Sequence, residues 1–149
     1  MLSSKAKYGL KAMVYLTLRE GQGPALIADI AESERIPKKF LDTILLEMKN
    51  QGLLSSKKGK GGGYTLARPA ARIMIGEIVR ILDGPLAPVP CVSRTAYRRC
   101  EDCRDESACS VRAVMQDVRD AIAAILDNTS LTDMSNRRGR VDPVLMYDI

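Results

Sequence analysis

Apolar residues recur at every third or fourth position through most of this 149-residue chain, which is the spacing at which a helix buries one face. The pattern predicts five helices, over about residues 4–20, 26–34, 37–51, 75–82 and 110–128. Serine before the first helix and glycine after the third are capping residues that helices favour. The core-facing stripe of the third helix is expected to be Phe40, Leu41, Ile44, Leu45 and Met48. The chain is therefore predicted to be mainly α-helical.

The second and third predicted helices are separated only by a short break at Ile36-Pro37, and Pro37 suits the first turn of the third helix. The outer face of that helix offers Lys38, Lys39, Asp42, Thr43 and Lys49. A helix, a short turn and an amphipathic helix with a basic polar face make the helix-turn-helix pattern of DNA-binding proteins. A three-helix bundle that does not bind DNA would show the same pattern.

A segment rich in glycine and lysine follows the third helix. Residues 53–56 and 64–67 are predicted to be strands, and residues 57–63 form a turn that no helix would tolerate. The turn is cationic and has little side-chain bulk, as a wing needs in order to lie on a phosphate backbone and reach a narrow minor groove. The alternatives are a flexible loop and a cradle for nucleotide phosphates, but the Gly-Lys-Ser/Thr ending of a P-loop is missing. We interpret the segment as a β-hairpin wing.

The longest predicted helix, over residues 110–128, has a continuous apolar seam. The seam consists of Val111, Val114, Met115, Val118, Ala121, Ile122, Ile125 and Leu126. Charged residues lie off the seam, and the helix is distant in sequence from the hairpin. We interpret it as a dimerisation helix; a helix that folds back on its own core is the alternative.

All four cysteines fall within one 19-residue window, as Cys91, Cys100, Cys103 and Cys109. The charged residues and turn formers of this window predict an exposed loop, not a buried strand. Neighbouring thiolates either bind a soft metal centre or exchange electrons. Four thiolates can hold a [2Fe-2S] or [4Fe-4S] cluster, or a tetrahedral zinc ion. They can instead cycle between dithiol and disulfide, with Arg98, Arg99 and Arg104 lowering the thiol pKa.

Charge is spread unevenly over what should be one domain, or one small domain with an appendage. The net charge is +5, made of +7 in residues 1–80 and −2 in residues 81–149, and a basic first half favours a polyanion as partner. No segment approaches the roughly 20 apolar residues of a membrane span, and the N-terminus has no secretory signal. We therefore expect a cytoplasmic protein without a membrane partner. The lack of histidine, of a nucleophile–base pair and of a nucleotide motif argues against an enzyme.

Three segments resemble the Rrf2 family of winged helix-turn-helix regulators, in particular its IscR- and NsrR-like branch. They are the glycine-rich string 61–68 after a basic turn, the helix that follows Ile36-Pro37, and the cysteine loop before a long helix. The resemblance covers about residues 1–134. It implies a winged helix-turn-helix with a long C-terminal dimerisation helix, and a homodimer that binds a partly palindromic double-stranded DNA operator as a repressor.

The resemblance also implies which residues contact DNA and which join the two subunits. The expected DNA-binding residues are Pro37, Lys38, Lys39, Asp42, Thr43, Lys58, Lys60 and Gly61. The expected dimerisation residues are Val111, Val114, Met115, Val118, Ile122 and Ile125. Asp42 stands where relatives have a base-reading acidic residue, and a carboxylate can accept a hydrogen bond from cytosine N4. Lys58 stands where the family often has an arginine, whose charge it keeps without the planar fork.

By the same resemblance, Cys91, Cys103 and Cys109 correspond to ligands of an iron–sulfur cluster. Relatives take a fourth ligand from a histidine or an acidic residue, but Tyr8 and Ala12 occupy that region of the first helix here. Cys100 has no family counterpart, so it is either the fourth ligand or a sign that the site is different. The expected metal ligands are therefore all four cysteines, and the expected cofactor is an iron–sulfur cluster, with zinc or no cofactor as alternatives.

The predicted organisation has four parts. They are a DNA-binding domain over residues 1–83, a sensor loop over 84–109, a dimerisation helix over 110–134 and a flexible tail over 135–149. The predicted function is sequence-specific transcriptional regulation, with DNA affinity controlled by an iron–sulfur cluster or by thiol redox state. The alternatives are a cofactor-free regulator controlled by a metabolite or partner protein, and a small iron–sulfur electron carrier.

Overall fold

A computed structural model describes residues 2–138 of the chain. The helices are α1 (Ser4–Leu18), α2 (Ile27–Glu34), α3 (Lys38–Asn50), α4 (Ile75–Asp83), α5 (Ser110–Leu126) and α6 (Leu131–Ser135), and the strands are β1 (Leu54–Lys57) and β2 (Gly63–Leu66). This confirms the mainly α-helical class with a small hairpin. Within residues 2–138, none of the helices is long and apolar enough to cross a membrane. The predicted tail lies outside the described residues from position 139 onward.

Helices α1, α3 and α4 pack around one aliphatic core. Its fully buried side chains include Met13, Ile30, Leu41, Ile44, Leu45, Met48 and Ile78. Gly9 lets α1 approach α4 closely, because a Cβ at this position would lie 2.2 Å from a methyl carbon of Leu82. Ser3 caps α1 by accepting a hydrogen bond of 3.0 Å from the backbone N–H of Ala6. The apolar stripes of separate helices thus meet in a single core.

Strands β1 and β2 form an antiparallel hairpin in which Leu54 lies opposite Leu66. A third segment joins the hairpin, because Ala25 and Tyr64 exchange two backbone hydrogen bonds of 2.9 Å. Gly63 permits this approach: its φ is +139°, and a Cβ would lie 2.2 Å from the carbonyl oxygen of Ala25. The bridge attaches the hairpin to the segment that precedes α2.

The chain turns back after α5 instead of continuing as one helix. Helix α6 begins at Leu131, which is fully buried in the core. Backbone hydrogen bonds of 2.9 Å pair residues 129–131 with residues 73–75, and a capping box at Ser130 starts α6. The helix predicted over 110–128 is confirmed as α5, and the predicted dimerisation segment 110–134 contains, in addition, the separate helix α6. The division of the chain into four functional parts stays a prediction.

Two predicted positions on α3 differ in the structure. Phe40 is 59% exposed, so its predicted place in the core stripe is wrong. It stands at the edge of the stripe, where it borders a groove of about 530 Å³ between α1 and α3 that Tyr8 and Lys5 also line. Pro37 lies one position earlier than predicted, as the cap of α3.

Candidate nucleic-acid interface and cysteine loop

A tight turn between α2 and α3 fixes the start of α3. Arg35 ends α2 in the left-handed conformation, with φ +53°. The backbone N–H of Ile36 then donates a hydrogen bond of 2.9 Å to the carbonyl oxygen of Ala31. Because the Ile36 side chain is buried, the turn is anchored in the core. Helix α3 is therefore held in a fixed direction relative to α2, as a helix-turn-helix requires.

The predicted DNA-binding residues at the start of α3 share one exposed surface. Pro37, Lys38, Lys39, Asp42 and Thr43 are all exposed. Positions 39, 42, 43 and 46 lie three, four and seven residues apart, so they fall on one face of the helix. The structure thus brings these residues together on the side of α3 that faces away from the core.

The tip of the hairpin is the second exposed basic surface. Lys58, Lys60 and Gly61 are exposed, whereas Gly62 is buried beneath the tip, where a Cβ would lie 2.2 Å from the carbonyl oxygen of Lys57. A tight turn of this kind leaves the two lysine side chains as the main bulk of the tip.

Tyr64 connects the base of the hairpin with α3. Burial, and then the nearby Asp42 carboxylate, raise the pKa of the Tyr64 hydroxyl. Asp42 therefore lies close enough to the hairpin to act on it electrostatically. A ligand that reached Asp42 on α3 would meet the hairpin beside it.

The cysteine loop runs from α4 to α5 and contains two short 3₁₀ turns, Pro90–Val92 and Glu106–Ala108. Cys91 is only 5% exposed, so the prediction that the whole window is exposed is wrong for this residue. It behaves as a small apolar side chain in the turn that packs against α5. Of the other three cysteines, Cys100 is exposed, and Cys103 and Cys109 are half-buried.

The four thiols do not meet at one point. Among residues 2–138, the structure contains no group of three or more cysteine or carboxylate side chains that could hold one metal ion. All four cysteines are free thiols. The chemistry of the donor set still suits a cluster, because four thiolates on one loop are the usual ligands of iron–sulfur centres. The role of all four as metal ligands stays a prediction, and it requires the loop to close around the metal.

Cys91 and Cys103 both act on the thiol of Cys100. A side-chain hydrogen bond with Cys91 raises the pKa of the Cys100 thiol. The expectation that neighbouring arginines lower the thiol pKa is therefore wrong for Cys100. The Arg99 guanidinium is occupied elsewhere, since it donates to the carbonyl oxygens of Cys103 and Arg104 at 3.3 and 3.2 Å.

Cys109 joins the loop to α5. It caps the helix, and its Sγ accepts a hydrogen bond of 3.4 Å from the backbone N–H of Arg112. Any change at this sulfur therefore acts directly on the first turn of α5.

Helix α5 has an apolar face that is largely exposed within the described chain. Val111, Val114, Val118, Ile122 and Ile125 are between 36% and 63% exposed, and Met115 is half-buried. Within the described structure, no residue of α5 is buried. The alternative of a helix folded back on its own core holds only for Leu126, at the end of α5, which packs against the core. An exposed apolar stripe of this length marks an interaction surface.

Away from its exposed apolar face, α5 is held by two arginine contacts that the sequence did not predict. Arg80 of α4 makes a two-point ion pair of 2.6 and 2.8 Å with Asp127, which lowers the pKa of that carboxyl. Arg119 donates a hydrogen bond of 2.7 Å to the carbonyl oxygen of Val92. The sequence showed only that these charges lie off the apolar seam, since no local pattern pairs residues 27 or 47 positions apart. Through them α5 is connected both to α4 and to the turn that contains Cys91.

Comparison with known proteins gives one consistent family. The model of the family Rrf2, described as an iron-dependent transcriptional regulator, matches residues 2–137. The chain is 40% identical over 137 residues to the rrf2-like HTH-type transcriptional regulator of Rhodobacter capsulatus, covering 90% of this chain and 91% of the relative. It is 30% identical over 141 residues to the transcriptional regulator IscR of Photorhabdus laumondii, covering 95% and 82%.

Solved structures show the same relationship. CymR, the global cysteine regulator of B. subtilis, superposes with a TM-score of 0.76 at 31% identity, covering 91% of this chain and 96% of CymR. IscR of T. potens superposes with a TM-score of 0.74 at 26% identity, covering 99% and 96%. The predicted fold of winged-helix regulators is thereby confirmed, and the relatives are regulators of transcription, not enzymes.

Proposed function

Because this chain belongs to the Rrf2 family of DNA-binding transcriptional regulators, we propose that it is a homodimeric repressor whose DNA affinity is controlled at its cysteine loop. The controlling group is an iron–sulfur cluster or the redox state of the thiols. One observation carries this proposal: all four cysteines lie between the winged DNA-binding part and α5, on a loop that contacts α5.

Reading of DNA is assigned to α3 and the hairpin. The exposed residues at the start of α3 lie in a major groove, and they are Pro37, Lys38, Lys39, Asp42 and Thr43. There Asp42 accepts a hydrogen bond from a cytosine amino group. The hairpin tip lies on the adjacent backbone, where Lys58 and Lys60 bind phosphates and Gly61 allows close approach. The partly palindromic operator follows from the two-fold symmetry of a dimer.

In this proposal, the second copy of the chain binds to the apolar face of α5. A face with five large apolar side chains exposed is unfavourable in water, and pairing with the same face of another copy removes it from solvent. Such an isologous contact leaves the Arg80–Asp127 side of α5 directed toward its own DNA-binding part. The dimer thus fixes the distance between the two α3 helices.

In the metal-bound form, Cys91, Cys103 and Cys109 would hold the cluster, with Cys100 as the fourth ligand. A bound cluster supplies a one-electron redox centre. Cys91 lies in the turn that packs against α5, and Cys109 caps the start of α5, so a cluster held by these residues would act on both contacts. These two contacts connect the state of the loop with the position of α5.

The switch needs two arrangements of the loop that differ in DNA affinity by a few kcal/mol. Arg119 of α5 is hydrogen-bonded to the carbonyl oxygen of Val92, so a movement of the turn that contains Cys91 also acts on α5. Arg80 and Asp127 connect α5 with α4, which packs against both α1 and α3. A shift of the loop is in this way carried to the reading helix through packed elements.

A second candidate is a regulator without a cluster that senses thiol oxidation. The closeness of the Cys91 and Cys100 thiols on one loop favours it, because two neighbouring thiols can form a disulfide. Oxidation by a disulfide such as oxidised glutathione would join the two sulfurs and pass two electrons and two protons to the oxidant. The likeness to CymR, the global cysteine regulator of B. subtilis, gives it further support.

Anaerobic purification followed by absorbance, iron and sulfide analysis separates the two candidates. A cluster regulator gives a coloured protein with iron and sulfide, and replacing Cys103 by Ser removes the colour. Replacing Cys100 by Ser is the matched comparison: colour is lost if Cys100 is a ligand and kept if it is not. A colourless preparation in which no cysteine variant changes DNA binding would contradict both candidates.

A further inference from the structure

Leu46 is a large apolar side chain on the face of α3 that carries the proposed DNA-reading residues. It is 50% exposed. It stands three residues after Thr43 and four after Asp42, so the three side chains are neighbours on one face. Lys49 and Asn50 follow on the same face at the next turn. The leucine is therefore surrounded by polar side chains and remains in water in the free protein.

Phe40, the other exposed large apolar residue of α3 within the described chain, lies in a different place. Six residues separate it from Leu46, which puts the two side chains about 120° apart around the helix. Phe40 borders the groove between α1 and α3 beside Tyr8. Phe40 is thus directed toward the protein's own α1, whereas Leu46 is on the face that the proposed function turns toward the bases.

The position of Leu46 along α3 also suits the floor of the major groove. One turn separates it from Asp42, or about 6 Å at 1.5 Å per residue, which corresponds to between one and two base pairs. The groove is about 12 Å wide and admits a helix, so a third-turn side chain on the reading face reaches base edges. Leu46 would then lie over a base pair next to, or one step beyond, the pair contacted by Asp42.

A leucine side chain can neither donate nor accept a hydrogen bond, so among the groups exposed in the major groove it matches only the thymine C5-methyl. We propose that Leu46 is a specificity-determining residue that selects thymine by packing on this methyl group. The inference rests on the proposed function, in which α3 reads the major groove. The charge of α3 also supports DNA as the ligand of this face. Lys38, Lys39 and Lys49 of the same helix can bind the phosphates that flank such a base pair.

The test begins with selection of binding sites from a randomised duplex library, using the full-length protein. Each thymine of the selected site is then replaced by deoxyuridine, which removes only the methyl group. Wild-type protein should lose affinity at one position of each half-site, by about fourfold per methyl group buried. Leu46→Ala should bind the thymine and uracil sites equally well, and Leu46→Gln should shift the preferred base at that position toward adenine.

Phe40→Ala is the matched control, because it also shortens an exposed apolar side chain of α3. It should keep the wild-type ratio between thymine and uracil sites. The inference about Leu46 is overturned if wild type binds every uracil site as tightly as the thymine site, or if Leu46→Ala keeps the wild-type ratio. A selection that enriches no sequence at all rejects the proposed function itself, and the inference with it, so the two failures are distinguishable.

Discussion

Arg80 of α4 and Asp127, just after α5, form a two-point ion pair with N–O distances of 2.6 and 2.8 Å. The pair lies on the side of α5 opposite its exposed apolar face. Gly76 makes room for it, because a Cβ at this position would lie 2.0 Å from Oδ1 of Asp127. This contact connects the DNA-binding part with the helix proposed to join two copies of the chain.

Replacement of Asp127 by Asn should lower the free energy of unfolding by about 1 kcal/mol or less at neutral pH, because the pair is partly exposed to solvent. Arg80 lowers the pKa of the Asp127 carboxyl in the folded protein. A lowered pKa gives stability that is present above the unfolded value, roughly 3.9, and is lost as pH falls through the folded value. The difference between wild type and variant should therefore shrink below about pH 4, as measured by urea unfolding.

Asp117→Asn removes an exposed carboxylate from α5 itself and serves as the comparison. It should leave the free energy of unfolding within about 0.5 kcal/mol of wild type at neutral pH. If Asp127→Asn and wild type differ by the same amount at pH 7 and pH 3, the assigned role of the pair is wrong.

Replacement of Gly63 by Ala should break the bridge between Ala25 and Tyr64. The new Cβ would collide with a backbone carbonyl, which cannot move aside as a flexible side chain can. We expect a loss of about 2 kcal/mol or more in the free energy of unfolding. Gly52→Ala is the control, since Gly52 has a φ of +82° but no atom within 4 Å of its Cβ position, and backbone strain alone should cost about 1 kcal/mol. Equal losses for the two variants would show that the bridge adds nothing.

Replacement of Lys58 by Ala should weaken binding to all DNA sequences alike. A lysine on a phosphate acts through counterion release, so the slope of log affinity against log salt concentration should fall by about 0.9 for each wing. Arg72→Ala, at an exposed position in the turn before α4, removes the same charge outside the proposed interface and should leave the slope unchanged. Fluorescence anisotropy titrations between low and moderate salt measure both. If the slope falls equally for the two variants, the assignment of the hairpin tip to the DNA interface is wrong.

Replacement of Ile122 by Glu should dissociate the dimer. The charge would stand near the middle of the apolar face of α5, and two-fold symmetry would place it in the contact twice. The dissociation constant should rise on the order of 100-fold or more, as measured by sedimentation equilibrium. Ala113→Glu puts the same charge on another side of α5 and should leave the mass unchanged. Wild-type protein that is a monomer at millimolar concentration would contradict the assignment of the face.

The sequence was sufficient for the helices, because their apolar spacing is a local pattern that the core then uses. Leu41, Ile44 and Leu45 are buried as their spacing predicts. Phe40 shows the limit of this reasoning, since burial at the edge of a stripe depends on how far α1 covers it. The end of the long helix was predicted within two residues, but helix α6 was not, because the pairing of residues 129–131 with residues 73–75 that precedes it joins segments far apart in sequence.

The long-range polar contacts and the arrangement of the thiols could not be predicted from the sequence either. The bridge between Ala25 and Tyr64 involves one residue from each segment and leaves no alternating pattern. The clustering of the cysteines in sequence identified the loop, but not that Cys91 would be buried or that its thiol would interact with Cys100. Spacing along a loop does not determine distances across it, because a loop has no fixed periodicity.

The central claim is that the cysteine loop controls DNA affinity. The most direct test measures operator binding by one anaerobic preparation before and after removal of its iron with a chelator, with iron and sulfide counted in both samples. The account predicts iron and sulfide in the first sample and at least a tenfold change in dissociation constant in the second, equal to about 1.4 kcal/mol. Equal affinities in the two samples, and again after oxidation of the thiols, would contradict it.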